Sequence, residues 1–207
     1  MIDNIELIKP LLNFKEEGDF YMLYIFKRKK DQPEGERDNH QSVRTIKTYC
    51  VESVEYLDKR YDEIKQLCEM FKARGYIHIQ KQNHKDVSLE MMMALAQKIR
   101  DGQHNQKNLF DSVVGQLKTN EKRWVIDIDT TSLSVRNRII NIIERVKPND
   151  VGSKIEGIIP TKNGVHLITK RFDVKEFEKE MEIRSDMIPD IQKKNPTLLY
   201  LPNSLSL

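Results

Sequence analysis

Residues 125–129, Val-Ile-Asp-Ile-Asp, set two acids into an apolar run, and no other stretch of the 207-residue chain points as directly to chemistry. Side chains two apart on a strand share a face, roughly 6 to 7 Å apart along the backbone. Asp127 and Asp129 therefore project to one side, while Ile126 and Ile128 pack on the other. Neighbouring carboxylates repel unless something positive lies between them. Oxygen-rich acid pairs of this kind hold Mg²⁺ or Mn²⁺ in two-metal phosphoryl transfer, where the ions activate the attacking and leaving oxygens. The plainer alternative is a strand end whose acids face water or cap the next helix, since Ser132 and Ser134 follow closely.

The elements around this strand decide which other groups can join it. RWVIDIDT (123–130) reads as a strand, SLSVRNRIINIIERVK (132–147) as a helix with Val135, Ile139, Ile142, Ile143 and Val146 on one stripe, and KIEGIIPT (154–161) as a strand. An Asn-Gly pair joins the last of these to GVHLITKRF (164–172) as a tight hairpin. DVKEFEKEM (173–181) is a helix with Asp173 at the cap and Glu176 three later, and MIPDIQKKNPTLLYL (187–201) offers a last strand or a pair of short ones. The order β-α-β-β-α-β is that of the ferredoxin-like or RNA-recognition split unit. Its usual sheet order, 4-1-3-2, makes the acid strand central. His166 on the third strand, with Ile168 and Lys170 at the same parity, and Asp190 on the fourth are then expected to converge on the helix-free acid face.

The fold class expected is α/β (α+β) in two lobes, an N-terminal α/β module over 1–120 and an RNA-recognition-like lobe over 121–207, with a boundary near Asn120. In the first half FYMLYIFKRKK (20–30) and VRTIKTYCVESV (43–54) read as strands joined by the exposed loop DQPEGERDNHQ. DKRYDEIKQLCEMFKARG (58–75) is a helix closing on Gly75, YIHIQKQ (76–82) a period-two strand, and SLEMMMALAQKIRDG (88–102) a helix capped by Ser88. A further helix is expected at 106–118. Arg74, His78 and Lys81 lie around the strand of the first lobe, where they would either reach a template or nucleotide across the cleft or serve as plain surface residues. The KRKK run (27–30), beside Phe20, Tyr24 and Phe26, has the composition either of a nucleic-acid backbone contact or of a solvated loop. Lys162, Lys170 and Arg171 surround the histidine strand, where they would steer phosphate or serve as solubilising lysines and arginine.

An apolar run ending in Asp-x-Asp, a small-x-His signature on a hairpin strand and a late acid are here VIDID (125–129), NGVHLIT (163–169) and IPDI (188–191). Together they resemble the archaeo-eukaryotic primase and primase-polymerase superfamily, in particular its small phage or plasmid members. The resemblance covers chiefly residues 123–201. It implies template-dependent nucleotidyl transfer with two divalent ions, Mg or Mn, held by Asp127, Asp129 and Asp190, and catalysis by Asp127, Asp129 and His166. His166, with Gly164, Lys162 and Lys170, would bind the incoming nucleoside triphosphate; Arg74, Lys81 and Arg171 would contact a single-stranded DNA or RNA template. A replicative helicase is an implied partner. Family members commonly carry serine where this chain has Gly164, so a phosphate-binding hydroxyl would come from Thr161 or Asn163, or the anion would bind the N–H groups of the turn. Pro189 beside Asp190 is a second departure, because proline is awkward in a central strand.

Other chemistries lack their motifs. The chain has no GxxxxGK[ST], GxSxG or HExxH and no GxGxxG after a strand, and His40, His84 and His104 sit in polar loops without ligand spacing. Cys50 and Cys68, with no CxxC or CxxH, read as reduced thiols. A net charge of +3 is too small to announce nucleic acid by itself, so local clusters must carry that argument. The lack of an 18-residue apolar run and of a signal-peptide start predicts a cytoplasmic protein without a membrane partner. Two rivals stand beside nucleotidyl transfer: a non-catalytic RNA- or single-stranded-DNA-binding module on the same sheet, and a metal-dependent nuclease or other nucleotidyltransferase. Binding modules usually present aromatics on the central strands, where this lobe has Asp, Asp and His.

Overall fold

The computed structural model describes residues 1–32, 43–117, 119, 122–150, 152–183 and 188–205; most of the long loop expected after the first strand, and Asn120 itself, lie outside the described residues. Along the chain run β1 (Ile2–Asp3), α1 (Ile5–Ile8), β2 (Asp19–Arg28), β3 (Val43–Val51), α2 (Val54–Phe71), β4 (Arg74–Ile77), β5 (Gln82–Asn83), α3 (His84–Arg100) and α4 (Leu109–Gln116). There follow β6 (Arg123–Ile128), α5 (Leu133–Arg145), β7 (Ile155–Pro160), β8 (Val165–Lys170), α6 (Val174–Ile183), β9 (Asp190–Gln192) and β10 (Thr197–Leu201). The fold is mixed α+β with two antiparallel sheets.

The second sheet has the order β7-β8-β6-β9, the expected arrangement with the acid strand inside. Alternation assigns its faces. Trp124, Ile126 and Ile128 of β6 and Leu167 of β8 pack with Ile139, Ile143 and Phe177 of the two helices. Each helix starts on a side-chain cap: Ser132 Oγ accepts from Val135 N at 3.5 Å, and Asp173 Oδ1 accepts from Glu176 N at 3.0 Å. Glu176 does not return to complete a capping box. Its Oε2 accepts from Lys147 N at 2.9 Å and so ties α6 to the end of α5.

The first sheet runs β1-β10-β4-β2-β3, with β5 paired to β2. The last apolar segment therefore divides in two. β9 stays beside β6 as a three-residue edge with Asp190 exposed, which suits Pro189 just before it. Beyond Pro196, β10 crosses to the first sheet and pairs with both β1 and β4, because all five of its residues are buried and need neighbours on each side.

Other boundaries shift for local reasons. α2 begins at Val54, where Ser53 Oγ accepts from Tyr56 N at 3.0 Å, and ends with Lys72 in the left-handed region (φ 46) in place of the expected Gly75, which lies inside β4. α3 starts at His84 and not after Ser88, because Asn83 at the end of β5 already supplies the cap, accepting from Lys85 N at 3.0 Å. The strand expected at 76–82 spans only 74–77, its continuation held by His78 N donating to Met22 O at 2.8 Å.

The two sheets share a core. Val125, Ile159 and Ile168, on the helix-free face of the second sheet, join one apolar cluster with Leu11, Ile79 and Leu199. Asn4, 1% exposed, donates to Pro160 O and Leu198 O at 2.9 Å each, and Gln80 Nε2 donates to Arg123 O at 2.8 Å. The face expected to be open is thus covered around Val125, leaving ligand access at the Asp127 end. No helix among the described residues is long and apolar enough to cross a membrane.

Candidate nucleotide site at the acid strand

Asp127 sits directly opposite His166 on one side and Asp190 on the other, so the three residues form a row across β8, β6 and β9 on the helix-free face. His166 Nε2 lies 3.6 Å from Asp127 Oδ1, and Nδ1 is 3.0 Å from Oγ1 of the buried Thr197 on β10. The histidine is therefore fixed by both sheets. Burial, with the Arg28 guanidinium adding to it, pushes His166 down to about 4, so the ring is neutral near pH 7 and its contact with Asp127 is not an ion pair there. Asp127 keeps 22% of its side chain exposed. Asp129 lies just past β6 and is exposed; Asp190 Oδ2 accepts from Gln192 Nε2 at 2.8 Å.

His166 also lines a cleft of about 780 Å³ whose other wall belongs to the first sheet. Period-two alternation along β2 puts Tyr24, Phe26 and Arg28 on that wall, and Tyr76 of β4 joins them. The Phe26 and Tyr76 rings stack at 4.7 Å, and the Arg28 guanidinium stands 5.5 Å from the Tyr76 centroid. Burial, with Asp111 nearby, pushes the Tyr24 phenol up to about 12, so it stays a hydroxyl. Lys29 and His78 complete the cationic and polar lining. The alternation in FYMLYIFKR was a visible signal for this face. Thr197, Gln192 and Asn195 carried none, since their place depends on the crossing of β10.

The remaining expected site residues disperse. Arg74 does not reach toward a template: its Nε and Nη2 each donate to Asp31 at 2.7 Å, with both side chains 7% exposed. Lys81 Nζ lies 2.6 Å from the buried Asp19 carboxylate, and Lys162 Nζ donates to Leu205 O at 3.0 Å. Lys170 and Arg171 line a separate crevice at the opposite end of β6 and β8.

Gly164 is required by the close approach of the hairpin to the end of the acid strand. A Cβ there would lie 1.9 Å from the Ile128 carbonyl oxygen and 2.8 Å from Thr130 N, so a serine at this position would collide with the end of the acid strand. Gly164→Ala is expected to destabilise the protein by about 2–3 kcal/mol, read as a lower melting temperature, because the clash is with backbone that cannot rotate away.

His78 offers a pH test. Burial holds it down to about 4, against about 6.5 in an unfolded chain. Between these values the unfolded state binds the extra proton, so its contribution is intact above pH 6.5 and is lost as pH falls toward 4. His166 acts in the same direction. His78→Gln is expected to recover roughly 2–3 kcal/mol of that acid-side loss, measured from urea midpoints at pH 7 and pH 4.

No protein family, curated protein or solved structure matches this chain.

The site's fitness for a divalent ion follows from its own donors. Among the described residues no three His, Cys, Asp or Glu side chains stand close enough together to hold a metal ion. Mg²⁺, however, keeps most of its waters and uses one or two carboxylates plus substrate phosphates. Asp127 and Asp190, directly opposed across two strands, are like charges whose Cβ atoms such pairing sets about 4.5–5.5 Å apart, an arrangement a cation relieves. The donor chemistry fits.

Proposed function

We propose that this protein transfers nucleotidyl groups onto a nucleic-acid strand, as a template-dependent primase or primase-polymerase. The observation that carries this reading is the in-register row His166, Asp127, Asp190, whose histidine lines a cleft with aromatic and cationic side chains. The cleft's volume falls within the range of roughly 300–1,000 Å³ typical of small-molecule sites. Arg28 and Lys29 neutralise the triphosphate, and Tyr24 and Phe26 offer ring surface to the base. His166, neutral and clamped by Thr197, presents its Nε2 side to the phosphates. Mg²⁺ or Mn²⁺ held by Asp127 and Asp190 together with substrate phosphates would offset charge on the attacking and leaving oxygens. Single-stranded DNA or RNA as template, a replicative helicase as partner and a cytoplasmic location belong to the same reading. Labelled-nucleotide incorporation on single-stranded DNA with Mg²⁺ or Mn²⁺ tests it, and no incorporation on any template would remove it.

One observation favours a second reading, a binding module without catalysis. Tyr24, Phe26 and Tyr76 occupy the interior strands β2 and β4 of the first sheet, as stacking residues do in sheet-type RNA binders. Tight RNA binding unchanged by chelator, without incorporation, would select it.

A further inference from the structure

At the far end of β6 and β8 a crevice of about 860 Å³ is lined by Lys15, Lys122, Arg123, Lys147, Lys170 and Arg171 against two carboxylates, Glu156 and Asp173. Glu156 Oε2 lies 2.6 Å from Arg123 Nε, and Asp173 caps α6. One concavity therefore gathers more net positive charge than the +3 of the whole chain. Lysines spread for solubility would not crowd in this way, since like charges brought together repel. The cations also come from four separate segments: the stretch before β2, the approach to β6, the end of α5 and the β8–α6 connection. Behind them Trp124 and Phe172 are 8% and 5% exposed and pack edge-on at 5.3 Å, so they offer no open ring face to a base. Recognition here is by charge alone.

We propose that this crevice binds the phosphodiester backbone of a nucleic-acid strand, without regard to sequence. Between this crevice and the acid row, β6 is covered at the fully buried Val125, so the two are separate surfaces and the binding does not rest on the nucleotidyl-transfer reading.

The test is binding of a fluorescent single-stranded oligodeoxynucleotide in EDTA, without nucleotide, as a function of salt. With four of the six cations engaged, log affinity falls against log salt with a slope of about −3, roughly a fifty-fold loss between 50 and 200 mM. A Lys122→Ala, Lys147→Ala, Arg171→Ala variant, changing only exposed side chains, keeps its melting temperature, binds at least about tenfold more weakly at 50 mM and shows a slope near −1. Asp127→Ala binds as the parent does, which separates this site from the reaction. Several outcomes would overturn the proposal: no binding by the parent protein, an unchanged affinity and slope in the triple variant, loss of binding only in an Arg28→Ala, Lys29→Ala variant, or tighter binding of an acidic peptide than of the oligonucleotide.

Discussion

Asp127→Ala is expected to lower nucleotide incorporation by about a hundredfold to a thousandfold while leaving the fold at least as stable as before. The magnitude is that of removing one group preorganised toward developing charge in a reaction centre. Asp127 is the middle member of its row, facing His166 across one ladder and Asp190 across the other, so no neighbouring side chain can take over its place. Stability should hold because the substitution ends a like-charge opposition with Asp190, and directly opposed like charges destabilise a sheet. Steady-state incorporation and thermal melting, measured on the same preparation, check both halves. Full activity in the variant would detach the row from the reaction, whereas a parallel fall in melting temperature would make the carboxylate a structural group.

The largest stability effect is expected at Arg74, which sequence position alone placed near a template. Its guanidinium forms a two-pronged pair with Asp31, each side chain 7% exposed. Truncating one partner of such a pair leaves the other charge buried and uncompensated, a cost of about 3–5 kcal/mol. For a chain of this size Arg74→Ala should then lower the melting temperature by roughly 10 °C or more. A double replacement, Arg74→Met with Asp31→Leu, should recover most of that loss, since well-packed apolar pairs often match buried ion pairs. If Arg74→Ala instead leaves stability unchanged and weakens oligonucleotide binding, the residue is a strand contact after all.

The second sheet was readable because its elements are short, regular and separated by strong signals. Each helix carries a side-chain cap and an apolar stripe, and the pairing of Asp127 with His166 follows from parity once the split β-α-β-β-α-β order is assumed. Contacts that cross between sheets were not readable. Nothing local in Pro-Thr-Leu-Leu-Tyr-Leu distinguishes a partner for β6 from a partner for β1 and β4; only the burial of both faces of β10 decides it. Charged side chains failed for a related reason. Arg74, Lys81 and Lys162 each meet a partner 40 or more positions away, Asp31, Asp19 and Leu205, which periodicity cannot reveal. The steric need for glycine at position 164 is likewise invisible in the sequence, because the backbone it abuts belongs to the end of β6, 34 or more positions away.

The crossing of β10 also bears on how the molecule is assembled on the ribosome. Strands β1 and β4 are made early, yet their common neighbour is residues 197–201. Until that segment has been synthesised and threaded into place, the nascent first sheet has an unfilled slot and open ladder edges, the kind of surface that recruits other chains. β10 fills that slot and, through Thr197, also holds His166, so the same C-terminal strand that closes the first sheet fixes the cleft's histidine.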